Sequence, residues 1–167
     1  MGVYDSWQHV GGGASRLVDH LLALGFTDVI VADLAANALA ASRARLGDAA
    51  AGVTWLVADA RTLRLDRSVT VWHDRAVFHF LTDPTDRATY VESARAAVPV
   101  GGHVVIATFG PDGPETCSGL PTCRYDATGL AAEFGDGFEL VESCEEVHVT
   151  PSGATQQFVD VVLRRVS

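Results

Sequence analysis

The stretch VGGGASRLVDHLLALGFTDVIVAD, residues 10–33, constrains the fold more than any other part of the chain. Gly11, Gly12 and Gly13 carry no Cβ, so the backbone there can take φ > 0 and approach a ligand closely. Leu17, Val18, Leu21, Leu22 and Leu24 follow at roughly helical spacing, and Gly25 stands where a helix would end. Val29, Ile30, Val31 and Ala32 form a continuous apolar run, the pattern of a strand covered on both faces. Asp33 closes that run, twenty positions after Gly13. A carboxylate at that point can accept hydrogen bonds from both hydroxyls of a ribose, while the glycine turn and helix start cradle the rest of the ligand. The stretch therefore reads as half of a nucleoside-binding site. A dinucleotide site would need G-x-G-x-x-G. Gly11 and Gly13 match it, but Arg16 takes the third glycine's place and obstructs close packing of helix on strand.

The rest of the chain continues the alternation. Upstream, residues 4–10 predict a short strand, although Asp5, Gln8 and His9 interrupt its apolar positions Trp7 and Val10. Downstream, 37–46 predicts an alanine-rich helix ended by Gly47, and 53–58 a strand ending on Asp59. Residues 61–68 read as a solvated connection, and 69–72 as a buried strand running into His73, Asp74 and Arg75. Asp83 as cap, Pro84 at the first helical position and Asp86 in the first turn start a helix that runs to about residue 98. Then come a strand over 103–109, a Gly- and Pro-rich loop over 110–122, and a helix over 127–134 capped by Asp126. Two strands over 138–150 and 155–166 join through Pro151-Ser152-Gly153 as a hairpin. Such an order predicts an α/β fold: a Rossmann-like three-layer sandwich whose mostly parallel, mixed sheet ends in a C-terminal antiparallel hairpin. Ligands in these folds bind beyond the carboxyl ends of the strands, where Asp33, Asp59 and Asp74 all fall.

Composition narrows the function. A chain of 167 residues suits one domain over 1–167. Its formal net charge of −9 argues against a nucleic-acid groove, which needs a basic face. No apolar run approaches the ~20 residues of a membrane span. The start is not a signal peptide, and three unpatterned cysteines suit a reducing cytoplasm. Cys117 and Cys123, in CSGLPTC, read either as incidental thiols or as a thiophilic site; without a histidine pattern of zinc type they set no metal site.

Together these motifs resemble the class I S-adenosylmethionine-dependent methyltransferases. HVGGGAS is similar to the family's glycine-rich turn, VIVADLA to its ribose-binding strand, VTWLVADA to its adenine-side strand, and VWHDRAVFHFL to its active-site strand and loop. PVGGHVVIATF is similar to its fifth strand with the preceding turn. HDRAVFHFL with the following Asp-Arg-x-x-Tyr resembles the small-molecule branch that includes thiopurine and tellurite-resistance methyltransferases. The resemblance implies S-adenosylmethionine as cofactor, held by Gly11, Gly12, Gly13, Asp33, Leu34, Asp59, Ala60 and His73. It implies methyl transfer to a small-molecule acceptor, with Asp74, Arg75 and His79 as catalytic candidates; His79 has a side chain suited to a general base. The alternatives are a binding protein that has lost catalysis and a protein methyltransferase. Two departures stand out. His9 replaces the acid that precedes the family's glycine turn, and barely ten residues precede the glycines, so the family's N-terminal lid segment is expected to be absent. A second copy of the chain covering that side follows as an expectation.

Overall fold

The computed structural model describes residues 5–150 and 152–167; residue 4 of the predicted first strand and Pro151 of the hairpin turn lie outside them. In chain order the strands are β1 Ser6–Val10, β2 Asp28–Asp33, β3 Val53–Val57, β4 Val71–Arg75, β5 His103–Phe109, β6 Thr116–Cys117, β7 Leu120–Pro121, β8 Phe138–Val149 and β9 Thr155–Arg165. The α-helices are α1 Leu17–Ala23, α2 Ala36–Leu46, α3 Pro84–Ala97 and α4 Ala127–Phe134. Seven strands form one sheet in the order β3-β2-β1-β4-β5-β9-β8, and β6 with β7 forms a separate ribbon. The first four pairings are parallel, while β9 runs antiparallel to both β5 and β8. This is the predicted three-layer, mostly parallel mixed sheet. Among the described residues no helix is long and apolar enough to cross a membrane.

Strand alternation sorts the core into two layers. Val29 and Val31 of β2 and Val53 of β3 pack with Val18 and Leu21 of α1 and Leu39 of α2. On the opposite face Trp72, Val104, Ile106, Val159 and Leu163 pack with Tyr90 and Ala94 of α3 and Leu130 and Phe134 of α4. The helix starts read from the sequence hold: the Asp83 side chain accepts from the Thr85 N–H at 2.7 Å, and that of Asp126 from the Gly129 N–H at 2.6 Å.

β1 is buried at the centre of the sheet despite its polar residues. Those residues are only partly satisfied, since Gln8 Oε1 and His9 Nδ1 are buried without a hydrogen-bond partner among the described residues. The Ser6 N–H donates to Thr70 Oγ1 at 3.0 Å, the Thr70 N–H returns to Ser6 Oγ at 2.9 Å, and the Gln8 side-chain amide donates to the His9 carbonyl at 3.2 Å. Other differences from expectation are local. Leu24 is exposed, so the apolar stripe of α1 is narrower than its sequence suggests. A 3-10 segment, Gly47–Gly52, follows α2. The fourth strand covers 71–75 rather than 69–72, which places His73, Asp74 and Arg75 inside the sheet. At the far edge β8 is exposed from Glu139 to Val147, bulges between Leu140 and Glu142, and carries Glu139, Glu142, Glu145 and Glu146.

Candidate active site

A cavity of about 420 Å³ opens at the carboxyl ends of the parallel strands. Of the sequence-predicted residues it brings together Gly11, Asp33, Leu34, Asp59 and Ala60. The Asp33 carboxylate is held by backbone at both oxygens: the Gly13 N–H donates to Oδ2 at 2.9 Å and the Ala35 N–H to Oδ1 at 2.7 Å. Each oxygen keeps a lone pair for another donor. The Ser42 hydroxyl of α2 donates to the Gly13 carbonyl, tying the glycine turn to the next helix. All three glycines are sterically required. A Cβ on Gly11, whose φ is +65°, would run into Val77; on Gly12 it would meet the His9 ring and Val31; on Gly13 it would meet Ala38 and Asp33 itself. Gly12 and Gly13 thus shape the turn from beneath, while Gly11 faces the cavity.

Asp59 is engaged by a residue that the sequence pattern did not mark. Arg61 Nη2 lies 2.6 Å from Asp59 Oδ2, and Arg61 Nη1 lies 3.2 Å from Asp86 Oδ2 of α3. The Arg61 hydrogen bonds hold the Asp59 carboxyl below its usual range. Because both partners are substantially solvated, this pairing contributes little stability and is open to exchange.

Three other predicted residues lie elsewhere. Asp74 does not line the cavity. It is fully buried and accepts from the Tyr90 hydroxyl at 2.6 Å, the Val77 N–H at 2.9 Å and the Phe78 N–H at 3.1 Å. Tyr90 in turn accepts from the Trp72 indole at 2.9 Å. Burial pushes the Asp74 carboxyl up to about 6, against the pull of these three donors. His79 is also buried. It accepts the Phe109 N–H at its Nδ1 (3.3 Å) and stacks near Phe80 and Phe109. Burial lowers its imidazole to about 4. Arg75 sits over the Phe158 ring at 4.7 Å and reaches Glu146 of β8 at 3.4 Å.

His73 faces a second cavity, of about 350 Å³, whose wall includes His9, Gly11, Ser15 and Arg75. His9 and His73 are register partners on β1 and β4, and their rings meet edge to face with centroids 4.8 Å apart. The Nδ1 atoms of both rings are buried without a hydrogen-bond partner. Burial, then the neighbouring His73, lowers His9 to about 3; burial, then Arg75, lowers His73 to about 4. Both rings are therefore neutral near pH 7. The backbone of Gly11 is shared by the two cavities.

The remaining wall of the first cavity is apolar: Val77, Phe80, Leu81 and, from the β6–β7 ribbon, Leu120. A 3-10 turn over Phe78–Phe80 divides its residues, sending Phe78 into the core and Phe80 toward the cavity. The loop over 110–122 gives one sign of the ribbon, a Ser118-Gly119 pair with both residues at positive φ, the mark of a two-residue hairpin turn.

This geometry has many counterparts. One solved structure, a SAM-dependent methyltransferase from Methanosarcina mazei, superposes with a TM-score of 0.78 at 15% identity, covering 99% of this chain and 94% of that one. The glycopeptide N-methyltransferase MtfA, complexed with S-adenosylmethionine, gives 0.71 at 16% identity over 96% and 86%. A structure described by the conversion of a disulfide bond into a thioacetal group during echinomycin biosynthesis gives 0.77 at 19% identity over 96% and 75%. At such identities the likeness is one of fold. No curated protein matches the chain by sequence. The methyltransferase-domain family does match, over residues 9–102, and those residues span the glycine turn, Asp33, Asp59 and the whole of β4; the chain belongs to that family.

Proposed function

We propose that this protein transfers the methyl group of S-adenosylmethionine to a small-molecule nucleophile. The observation that carries the reading is Asp33, whose two oxygens are fixed by the Gly13 and Ala35 amides at the rim of a cavity of about 420 Å³, a volume in the range of small-molecule and cofactor sites. The residues present fit the cofactor. Asp33 has free lone pairs for ribose hydroxyls, Leu34 and Ala60 offer apolar surface to a base, and Asp59 can accept from an exocyclic amine in exchange for Arg61. Bound there, S-adenosylmethionine would supply an electrophilic methyl group on a cationic sulfonium. Asp33, Asp59 and Asp86 outnumber Arg61 in the wall, so the cavity favours a cation.

The protein's own part is to position the reactants and exclude water. Asp74 is assigned to positioning: its bonds to the Val77 and Phe78 amides fix the turn that presents Val77 and Phe80 to the cavity. His79 supports the same turn through its Nδ1, which accepts from the Phe109 N–H, while its Nε2 is buried without a partner among the described residues. The titratable groups in the wall are carboxylates and one guanidinium. Such weak bases suit an amine or a thiol, which gives up its proton to water or to a wall carboxylate far more readily than a hydroxyl does, and then attacks the methyl through its lone pair. The glycopeptide N-methyltransferase and the disulfide-converting structure of similar fold support those two acceptor types.

Calorimetry with S-adenosylhomocysteine, followed by labelled methyl transfer to small amines and thiols and to lysate protein, tests the proposal. Binding with transfer to a small molecule is expected. No binding overturns it, transfer into protein alone makes it a protein methyltransferase, and tight binding without transfer makes it a cofactor-binding protein. His9, in the place of the family's acid, gives that last reading its footing.

A further inference from the structure

The cavity wall combines two kinds of residue. Asp33, Asp59, Arg61 and Asp86 are its polar part, which the cofactor reading uses. Phe80, Leu81 and Leu120 are apolar residues of the same wall to which that reading gives no role. Leu120 is unusual among these. It is 58% exposed, and it reaches the cavity from the β6–β7 ribbon rather than from the top of the sheet. Leu120 is outside the packed clusters of the core and lines the cavity, so its apolar surface is available to a ligand.

The ribbon's base is anchored while its tip is light. The Cys123 N–H donates to the His79 carbonyl at 2.7 Å, which ties the outgoing strand to the turn that carries Phe80. Arg87 braces the same region. Its Nη1 donates to the Leu81 and Thr82 carbonyls, each at 3.0 Å, and its Nε lies 2.9 Å from Glu133 of α4. The Thr122 hydroxyl donates to the Pro114 carbonyl at 3.1 Å. Beyond these anchors the pairs Thr116–Pro121 and Cys117–Leu120, the Thr122 N–H bonded to the Glu115 carbonyl at 2.9 Å, and Arg124 bonded to Glu115 Oε1 at 3.1 Å hold the ribbon together. Phe80 and Leu120 are thus tied into one bonded framework, and both line the cavity.

We infer that Leu120 is a specificity-determining residue, and that the methyl acceptor carries an apolar body, seated between Leu120 and the Phe80–Leu81 wall. The inference rests on the proposed methyl transfer and names the acceptor class for the same cavity. Apolar area removed from water by these side chains supplies the affinity, and from the ribbon only Leu120, an uncharged residue, is part of the cavity wall.

The test compares phenethylamine with ethanolamine, which share an aminoethyl group and differ in a phenyl against a hydroxyl. Each is titrated calorimetrically into the protein saturated with S-adenosylhomocysteine. Phenethylamine is expected to bind at least tenfold more tightly. Leu120→Ala, at an exposed position that leaves the fold intact, is expected to remove most of that ratio without changing the S-adenosylhomocysteine affinity, and Leu120→Met to restore it. Equal binding of the two amines, no binding of phenethylamine, or a ratio that survives Leu120→Ala overturns the inference. A Leu120→Ala loss that falls on S-adenosylhomocysteine instead assigns Leu120 to the cofactor and overturns it as well. Failure of S-adenosylhomocysteine to bind the unmodified protein is a separate result, since it overturns the methyl-transfer reading beneath it.

Discussion

Acidification from pH 7 to pH 5 is expected to destabilise this fold steeply. His9, His73 and His79 are held near 3, 4 and 4 in the folded chain, against 6.5 when unfolded. At pH 5 the unfolded chain therefore binds close to three protons that the folded chain does not. Stability conferred by a lowered imidazole is present above pH 6.5 and is lost as pH falls through the unfolded value. Each of the three loses about 2 kcal/mol over this interval. Asp74 works in the opposite sense. Its folded value of about 6 exceeds the unfolded 3.8, so the folded chain takes up that proton first and gains stability as pH falls through 6. The gain is about 1 kcal/mol by pH 5. The balance is a net loss of roughly 4 kcal/mol, a large part of the 5–15 kcal/mol typical of a folded domain. Urea denaturation at half-unit steps of pH reads it directly, with a slope near pH 5 of about two protons, or roughly 2.7 kcal/mol per unit. A stability that stays level or rises between pH 7 and pH 5 would refute the burial argument for all three imidazoles.

Further outcomes follow from the site. Asp33→Ala should weaken S-adenosylhomocysteine binding by about 1–3 kcal/mol in calorimetry, the range for lost hydrogen bonds to a charged group. Gly11→Ala places a Cβ against Val77 at a φ of +65°, so both cofactor affinity and the denaturation midpoint should fall. Tyr90→Phe removes a donor from Asp74 and strands the Trp72 indole N–H. It should cost about 1–3 kcal/mol in urea denaturation and push the Asp74 carboxyl above 6, seen by carboxyl-carbon NMR. Arg61→Ala should leave the urea denaturation midpoint nearly unchanged and tighten S-adenosylhomocysteine binding, because Asp59 is released for the ligand. A second copy covering the N-terminal side of the site would show as a dimer mass in sedimentation.

What was legible in the sequence was local. The glycine turn, Asp33 and the Asp83 and Asp126 caps depend on residues a few positions apart, or on one strand–turn–helix unit, and they fall where spacing puts them. What was not legible depends on partners far along the chain. His73, Asp74 and Arg75 look like the polar end of a strand, yet they lie within it. His9 packs on the first, Tyr90 bonds the second and Glu146 meets the third, and none of the three is a sequence neighbour. His79 has the chemistry of a base, but the 3-10 turn sends it inward and Phe80 toward the ligand space. Leu120 sits in strands too short to carry a period, so only the Ser118-Gly119 turn betrays them.

The exposed β8 strand has a consequence for how the protein behaves outside its optimum. An unpaired edge with Val141, Val147 and Val149 open to solvent is a template for adding another molecule's strand, and Glu142 and Glu145, unlike Glu139 and Glu146 that pair with Arg164 and Arg75, make two such edges repel. Salt screens that repulsion, so self-association through this edge is expected to rise with ionic strength and to show as growing particle size in light scattering.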